Sequence, residues 1–388
     1  MIKRIMAETI LKLAKKYPVI ALTGPRQSGK STLTRHLFPN HQYVNLESPQ
    51  VRDFAENDPE SFFKKYSGNV ILDEVQNVPS LFPYIQVIVD EKKVMGDFVI
   101  TGSSQFKLSE QITQSLAGRV SLFKLLPLSL TELEQGGLYT HFYEHTHKGF
   151  YPAIYDRSIE AQDYYADYTQ TYVERDVRSL VNVKDLKIFQ TFLKLCAGRV
   201  GSIVNFTSLG NDVGVSRETI KTWLNILEAS YVAFQLPPYF NNIGKRLVKS
   251  PKLYFYDVGL LCYLLGITSL ENLETHPLRG GIFENLIISD LMKSYFNKHK
   301  VPEFYFYQDN KGDEVDLVFL KEGQPIGVEI KSAQSFSDSF LSNLKKWQRL
   351  TGTDPGQGFV VYAGELSQVR EGFRILTPEN LDMLQPKS

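Results

Sequence analysis

Gly24-Pro25-Arg26-Gln27-Ser28-Gly29-Lys30-Ser31 fits the pattern G-x-x-x-x-G-K-[ST], and its flanks give that pattern physical meaning. The apolar run Pro18-Val19-Ile20-Ala21-Leu22-Thr23 before it reads as a short buried strand. Thr32-Leu33-Thr34-Arg35-His36-Leu37 after it reads as a helix. Strand, glycine-rich loop and helix in that order make a phosphate cradle. The glycines let the backbone curl so that successive N–H groups point inward, and the helix N-terminus adds partial positive charge. The expected nucleotide-binding residues are therefore Gly24, Arg26, Gln27, Ser28, Gly29, Lys30, Ser31 and Thr32. Lys30 would reach the β- and γ-phosphates of ATP, and the Ser31 hydroxyl would ligate Mg²⁺.

Such a loop needs an acidic partner for the metal. Val70-Ile71-Leu72 reads as a buried parallel strand and runs directly into Asp73-Glu74. Asp73 is placed beside Mg²⁺, and Glu74 is placed to polarise the attacking water. A third strand, Phe98-Val99-Ile100-Thr101, ends in Gly102-Ser103-Ser104. Ser103 or Ser104 would lie between the two acids and the γ-phosphate as a polar sensor of hydrolysis.

Asp73-Glu74, Thr101-Gly102-Ser103-Ser104 and Leu116-Ala117-Gly118-Arg119-Val120, in that order, resemble the AAA-type ATPases. The match is closer to a prokaryotic group whose members carry a C-terminal domain of unknown function. It continues through Tyr172-Val173-Glu174-Arg175-Asp176-Val177-Arg178, Ser250-Pro251-Lys252-Leu253-Tyr254-Phe255 and Phe283-Glu284-Asn285, spanning residues 16 to 335. The resemblance implies a parallel α/β sheet with a helical lid. It also implies a homo-oligomer in which a neighbouring subunit's arginine completes the ATPase site. Arg119, Arg175 and Arg178 are the candidates, each with an ordinary ion pair on a helix as the alternative.

The 388 residues suggest two or three domains, and 43% hydrophobic residues suffice for proper cores. With 43 Lys and Arg against 43 Asp and Glu, nothing suggests a general polyanion coat. Cys196 and Cys262 stand far apart in apolar surroundings, which fits neither a disulfide framework nor a zinc site and suggests a reducing cytoplasm. No apolar h-region follows the N-terminal lysines, so no signal peptide is expected. Tyr254 to Ile267 is interrupted by Asp257 and is too short to span a bilayer. No membrane partner is expected. His141, His145 and His147 fall in a segment rich in Gly, Tyr and Thr, which reads as a solvated loop.

After Gln135-Gly136-Gly137 the pattern turns helical. Ala161 to Leu180 and Val183 to Cys196 read as helices of a lid. Then Phe206 to Val213, a turn at Gly214, an N-capping Ser216 and a helix from Arg217 to about Ala229 give the layout of a helix-turn-helix. Ile220, Trp223, Leu224 and Leu227 make one core stripe, while Arg217, Lys221 and Asn225 lie opposite. Strands from Tyr231 to Leu236 and Lys252 to Tyr256 would add a wing, with Lys245, Arg246, Lys249 and Lys252 at or near its tip. DNA is the expected partner of this module, and a protein client is the alternative.

Glu314-Val315-Asp316-Leu317-Val318-Phe319-Leu320 alternates like a strand, Lys321 to Gln324 is a turn, and Pro325 to Ser332 returns. Pairing Leu320 with Pro325 sets Asp316 opposite Glu329, with Lys331 on the same face. Val315, Leu317, Phe319, Val328 and Ile330 take the core face. Opposed carboxylates repel, so a divalent cation on Asp316 and Glu329 is the expected resolution, with Lys331 assisting an attacking water. Glu284 is a further acid. The set Glu284, Asp316 and Glu329-Ile330-Lys331 resembles the restriction-endonuclease-like D…E-x-K fold, although Gln308 rather than a Pro-Asp pair precedes the hairpin. A plain surface ion-pair ladder is the alternative.

The sequence thus predicts an α/β chain of four parts. These are an AAA-type P-loop ATPase (1–134), a helical lid (135–200), a winged helix-turn-helix (201–256) and a nuclease-like α/β domain (257–388). The expected activity is ATP hydrolysis linked to DNA. The alternative is an ATP-gated binding switch that cuts nothing.

Overall fold

The computed structural model describes residues 2–103, 111–112, 114–173, 186–239 and 249–386. Five short strands, β1 (Val19–Thr23), β2 (Gln42–Asn45), β3 (Val70–Asp73), β4 (Phe98–Gly102) and β5 (Val120–Lys124), form a sheet in the order β2-β3-β4-β1-β5. Every pairing in it is parallel. Such a sheet is covered on both faces, which explains why β1, β3 and β4 are buried along their whole length. Alternate residues feed opposite layers. Val19, Ala21, Leu72 and Ile100 pack one way, and Ile20, Leu22, Ile71 and Val99 the other. Because β4 lies between β3 and β1, its last residues come between the Asp73-Glu74 acids and the glycine loop.

The helices that follow share one large core with a two-stranded antiparallel sheet, β6 (Ala233–Leu236) and β7 (Lys252–Phe255). The predicted helix from Ala161 ends at Tyr168 and passes into a π-helical turn, Thr169–Val173. Its remainder to Leu180, together with Arg175, Arg178 and the start at Val183, lies outside the described residues. Helices Phe206–Val213 and Arg217–Ala229 meet at Gly214 (φ +80°), with the Ser216 side chain capping the second. Ile220, Trp223, Leu224 and Leu227 are buried, Arg217 and Asn225 are exposed, and Lys221 pairs with Glu218 at 3.0 Å. Lys245 and Arg246 lie outside the described residues.

The histidine segment is a correction. Phe142–Lys148 is a helix rather than a solvated loop, and His145 is only 1% exposed. Its ring sits among Tyr139, Phe150 and Tyr155, and burial pushes its pKa down to about 4. The surrounding aromatics supply the burial that the polar local composition conceals.

The second sheet, six strands in the order β12-β13-β11-β10-β9-β8, holds β8 (Phe304–Gln308), β9 (Glu314–Lys321), β10 (Gln324–Lys331), β11 (Phe359–Tyr362), β12 (Gln368–Arg370) and β13 (Phe373–Leu376). Pro325 pairs with Leu320 as the hairpin reading requires. The face expected for Val315 is corrected. Tyr305 pairs with Val318 but Tyr307 with Val315, so Phe306 faces both Asp316 and Leu317. This bulge rotates Val315 off the layer of Leu317 and Phe319 and into that of Trp347 and Val360.

The helix Arg279–Asn297 joins the two sheets. It packs on β10 near one end and on β5 near the other. The Lys124 ammonium stands 5.2 Å from the Phe296 ring centre. Tyr231 adds a further tie, its hydroxyl donating to the Thr23 hydroxyl of β1 at 2.8 Å.

Candidate active site

The glycine loop leaves β1 through Gly24, whose φ is +150°. A Cβ there would stand 2.1 Å from the Leu125 carbonyl oxygen, so only glycine fits. Gly29, at φ +94°, ends the loop and starts the helix Lys30–Leu37, whose first-turn amides lack intrahelical acceptors. Lys30 is buried, and its Nζ donates to the carbonyls of Gly24 (3.0 Å) and Pro25 (2.8 Å). The Ser28 hydroxyl is buried without a hydrogen-bond partner. An orphaned donor, a cationic side chain and a helix N-terminus around a cleft of about 610 Å³ suit a polyphosphate. Gln27, Ser28, Gly29, Lys30, Ser31 and Thr32 all line that cleft, as does Arg26, which also pairs with Glu47 at 3.4 Å. Gly24 lies behind the loop rather than on the wall.

Asp73 ends β3 and meets the Ser31 hydroxyl at 2.9 Å through both oxygens. Thr101 also donates to Asp73, and Tyr43 does so at 2.5 Å. Neither residue was singled out by sequence, because each reaches Asp73 from another strand. The hydroxyl of Ser31 and the carboxylate of Asp73 form an all-oxygen pair that suits Mg²⁺, which favours carboxylate, water and phosphate oxygens.

Glu74 is buried at φ +56°, a conformation rare for non-glycine residues. Its Oε2 accepts from the Ser103 hydroxyl at 2.8 Å and from the Gln76 amide. Burial pushes its pKa up, but Lys30, Ser103 and Gln76 outweigh that and hold the carboxyl below the usual glutamate range. Glu74 is thus an ionised group on the cleft wall. Ser104 lies outside the described residues.

The arginines separate cleanly. Arg119 is away from the cleft, held by Asp90 through Nε at 2.6 Å and Nη2 at 2.7 Å. Two arginines that sequence reasoning passed over do line the cleft, Arg4 and Arg157. Arg4 is locked into Glu132 and backbone carbonyls, while Arg157 is exposed at the end of the helix Pro152–Asp156. No local motif marks either residue.

The C-terminal acids gather around two lysines. The β9–β10 ladder runs to Val328 opposite Leu317. Beyond that pair, the Asp316 carboxylate accepts the Ile330 amide of the neighbouring strand at 2.7 Å. Lys331 bridges Asp316 (3.2 Å) and Glu329. Lys252 of β7 enters from the other side and joins Glu284 (3.0 Å) to Glu314. Burial first, then Asp316, pushes Glu329 up to about 8, and the same two causes push Glu284 up to about 7. Two ammonium groups thus stand between carboxylates where a cation would be needed. Among the described residues no group of three or more His, Cys, Asp or Glu is arranged to hold a metal ion. Sequence reading found Asp316, Glu329, Lys331 and Glu284 but assigned Lys252 to the wing.

Residues 16–134 match the family described as AAA domain. Residues 139–271 and 279–379 match two families described as domains of unknown function. An uncharacterized protein of Mycobacterium tuberculosis is 32% identical over 369 residues, covering 92% of this chain and 80% of its own. One from Methanocaldococcus jannaschii is 25% identical, covering 84% and 81%. Among solved structures, a Walker-type ATPase of Pyrococcus abyssi aligns with a TM-score of 0.43 at 11% identity over 67% of this chain and 94% of that one. AMPPCP-bound DnaA from Aquifex aeolicus aligns at 0.28 and 13% over 58% and 86%. Among the described residues no helix is long and apolar enough to cross a membrane.

Proposed function

We propose, from the premise that this chain belongs to the same family as its mycobacterial relative and carries an ATP-binding AAA domain, that it is an ATP-hydrolysing switch acting on DNA. The observation that carries the reading is the cleft. One wall holds Lys30 and the loop amides, and the facing acids Asp73 and Glu74 are tied to Ser31 and Ser103. Mg²⁺, when bound with ATP, supplies charge neutralisation at the phosphates. Lys30 turns from the Gly24 and Pro25 carbonyls toward the β- and γ-phosphates, and Ser31 with Asp73 would hold the metal. Glu74, ionised and fixed by Ser103, orients the water for in-line attack. Arg157, on the cleft wall, is taken as the charge-stabilising arginine supplied by this chain itself, with an arginine of a neighbouring subunit (Arg119, Arg175 or Arg178) as the alternative.

The client is read from the module Phe206–Phe255, whose second helix presents Arg217 and Asn225 outward. Two such residues support phosphate contact more than base reading. The acid–lysine network is read as a platform rather than a cutting centre, because Lys252 and Lys331 already pair with its carboxylates. The nuclease reading retains one supporting observation, the convergence of Asp316, Glu329 and Lys331 at the open end of the hairpin.

Both are tested by incubating the wild-type, Glu74→Gln and Asp316→Ala proteins with duplex DNA, ATP and Mn²⁺. ATPase activity that responds to DNA without cutting supports the switch. Cutting lost only in Asp316→Ala establishes the nuclease. No ATP turnover in any sample removes the hydrolytic reading.

A further inference from the structure

Asp73 accepts from three hydroxyls carried by three different elements. Ser31 comes from the helix after the loop, Thr101 from β4 and Tyr43 from β2. Ser31 approaches both carboxylate oxygens at 2.9 Å, whereas Thr101 takes Oδ1 and Tyr43 takes Oδ2. Tyr43 is the unexpected member. It sits on the edge strand beside Ile71, while Asn45 is the neighbour of Asp73. Paired residues on adjacent strands project to the same face, so the phenol runs along that face to reach the acid. The Arg35 guanidinium lies 4.9 Å from the ring centre and holds the ring against the sheet.

The terminal torsion of an aspartate is broad, and a single hydroxyl shared between both oxygens does not fix the carboxylate plane. One donor on each oxygen does. We propose that Tyr43 is a positioning residue for the cation that accompanies the nucleotide: it holds the Asp73 carboxylate in the plane in which Ser31 meets it. This rests on the Mg²⁺-ATP reading of the cleft. The phenol touches neither nucleotide nor metal in this role and acts only through Asp73.

Tyr43→Phe in the full chain keeps the ring and its Arg35 contact and removes one hydroxyl. A fluorescent ATP analogue is bound in EDTA, and separately Mg²⁺ is titrated in. A hydrogen bond to a charged acceptor corresponds to roughly tenfold in an equilibrium constant. The Mg²⁺ midpoint is therefore expected to rise about tenfold in Tyr43→Phe, with affinity in EDTA unchanged. Asp73→Asn is the reference and is expected to shift the midpoint at least as far. A wild-type midpoint in Tyr43→Phe beside a shifted Asp73→Asn overturns the positioning role alone. An unshifted Asp73→Asn overturns the metal reading of the cleft and the inference with it. Equal loss with and without Mg²⁺ assigns Tyr43 to the loop's folding and overturns the inference.

Discussion

Arg4 donates through Nε to Glu132 at 3.0 Å, across 128 positions of sequence, and the two side chains are 5% and 0% exposed. The same guanidinium holds the Ser28 carbonyl of the glycine loop (2.9 Å) and the Leu126 carbonyl (2.7 Å). Glu132 closes the arrangement by accepting the Ile5 and Ser129 amides. The phosphate loop is therefore braced by a buried ion pair. Removing one partner leaves an uncompensated charge, which costs about 3 to 5 kcal/mol. Arg4→Ala is expected to lose stability of that order in urea unfolding and to weaken nucleotide binding. Wild-type stability in that variant would show that the pair contributes nothing.

Lys30→Ala should abolish binding of a fluorescent ATP analogue, because the neutral side chain supplies no charge to the phosphates. Glu74→Gln keeps the cleft's shape and its Ser103 contact. It should bind ATP normally and lower kcat by about a hundredfold or more. Retained turnover would remove Glu74 from its water-orienting role.

Arg157→Ala should lower kcat by about a hundredfold while ADP affinity stays near wild type, because the γ-phosphate is the group it would serve. Arg119→Ala should leave kcat unchanged, its partner being Asp90 on the same chain. The opposite pattern, with Arg119 essential and Arg157 silent, would return the role to Arg119 and point to a neighbouring subunit.

Glu329 has a folded-state pKa raised to about 8, above the ordinary glutamate value. The folded protein thus binds that proton more tightly than the unfolded chain. The resulting stability is fully present below the ordinary value near 4.5 and is lost as pH rises to about 8. Wild type should lose melting temperature across that interval, and Glu329→Gln should show a flatter profile. Parallel profiles would place the titrating proton elsewhere.

The cleft's frame was legible because its parts are local. Gly24 through Ser31 must be contiguous to curl around phosphate, and Asp73-Glu74 must end a strand to reach it. Tyr43, Thr101 and Arg4 were not legible, because each meets its partner across strands or across the chain. The β9–β10 register followed from alternation, but the bulge at Asp316-Leu317 needs β8 as a reference and leaves no mark in the hairpin itself. The His145 helix was missed for a related reason, since its burial is supplied by Tyr139, Phe150 and Tyr155. Lys252 reads as a wing cation until β7 is seen beside Glu284.

β5 is one of the two outer strands of the first sheet, and the helix Arg279–Asn297 packs against it. During synthesis the ATPase strands leave the ribosome well before that helix, so the β5 side lacks this packing until the chain has been made through Asn297. A growing chain in that interval has the sticky flank that chaperones shield. The same order of events makes a gene fragment ending at residue 134 a poor source of the ATPase and favours expressing the chain whole.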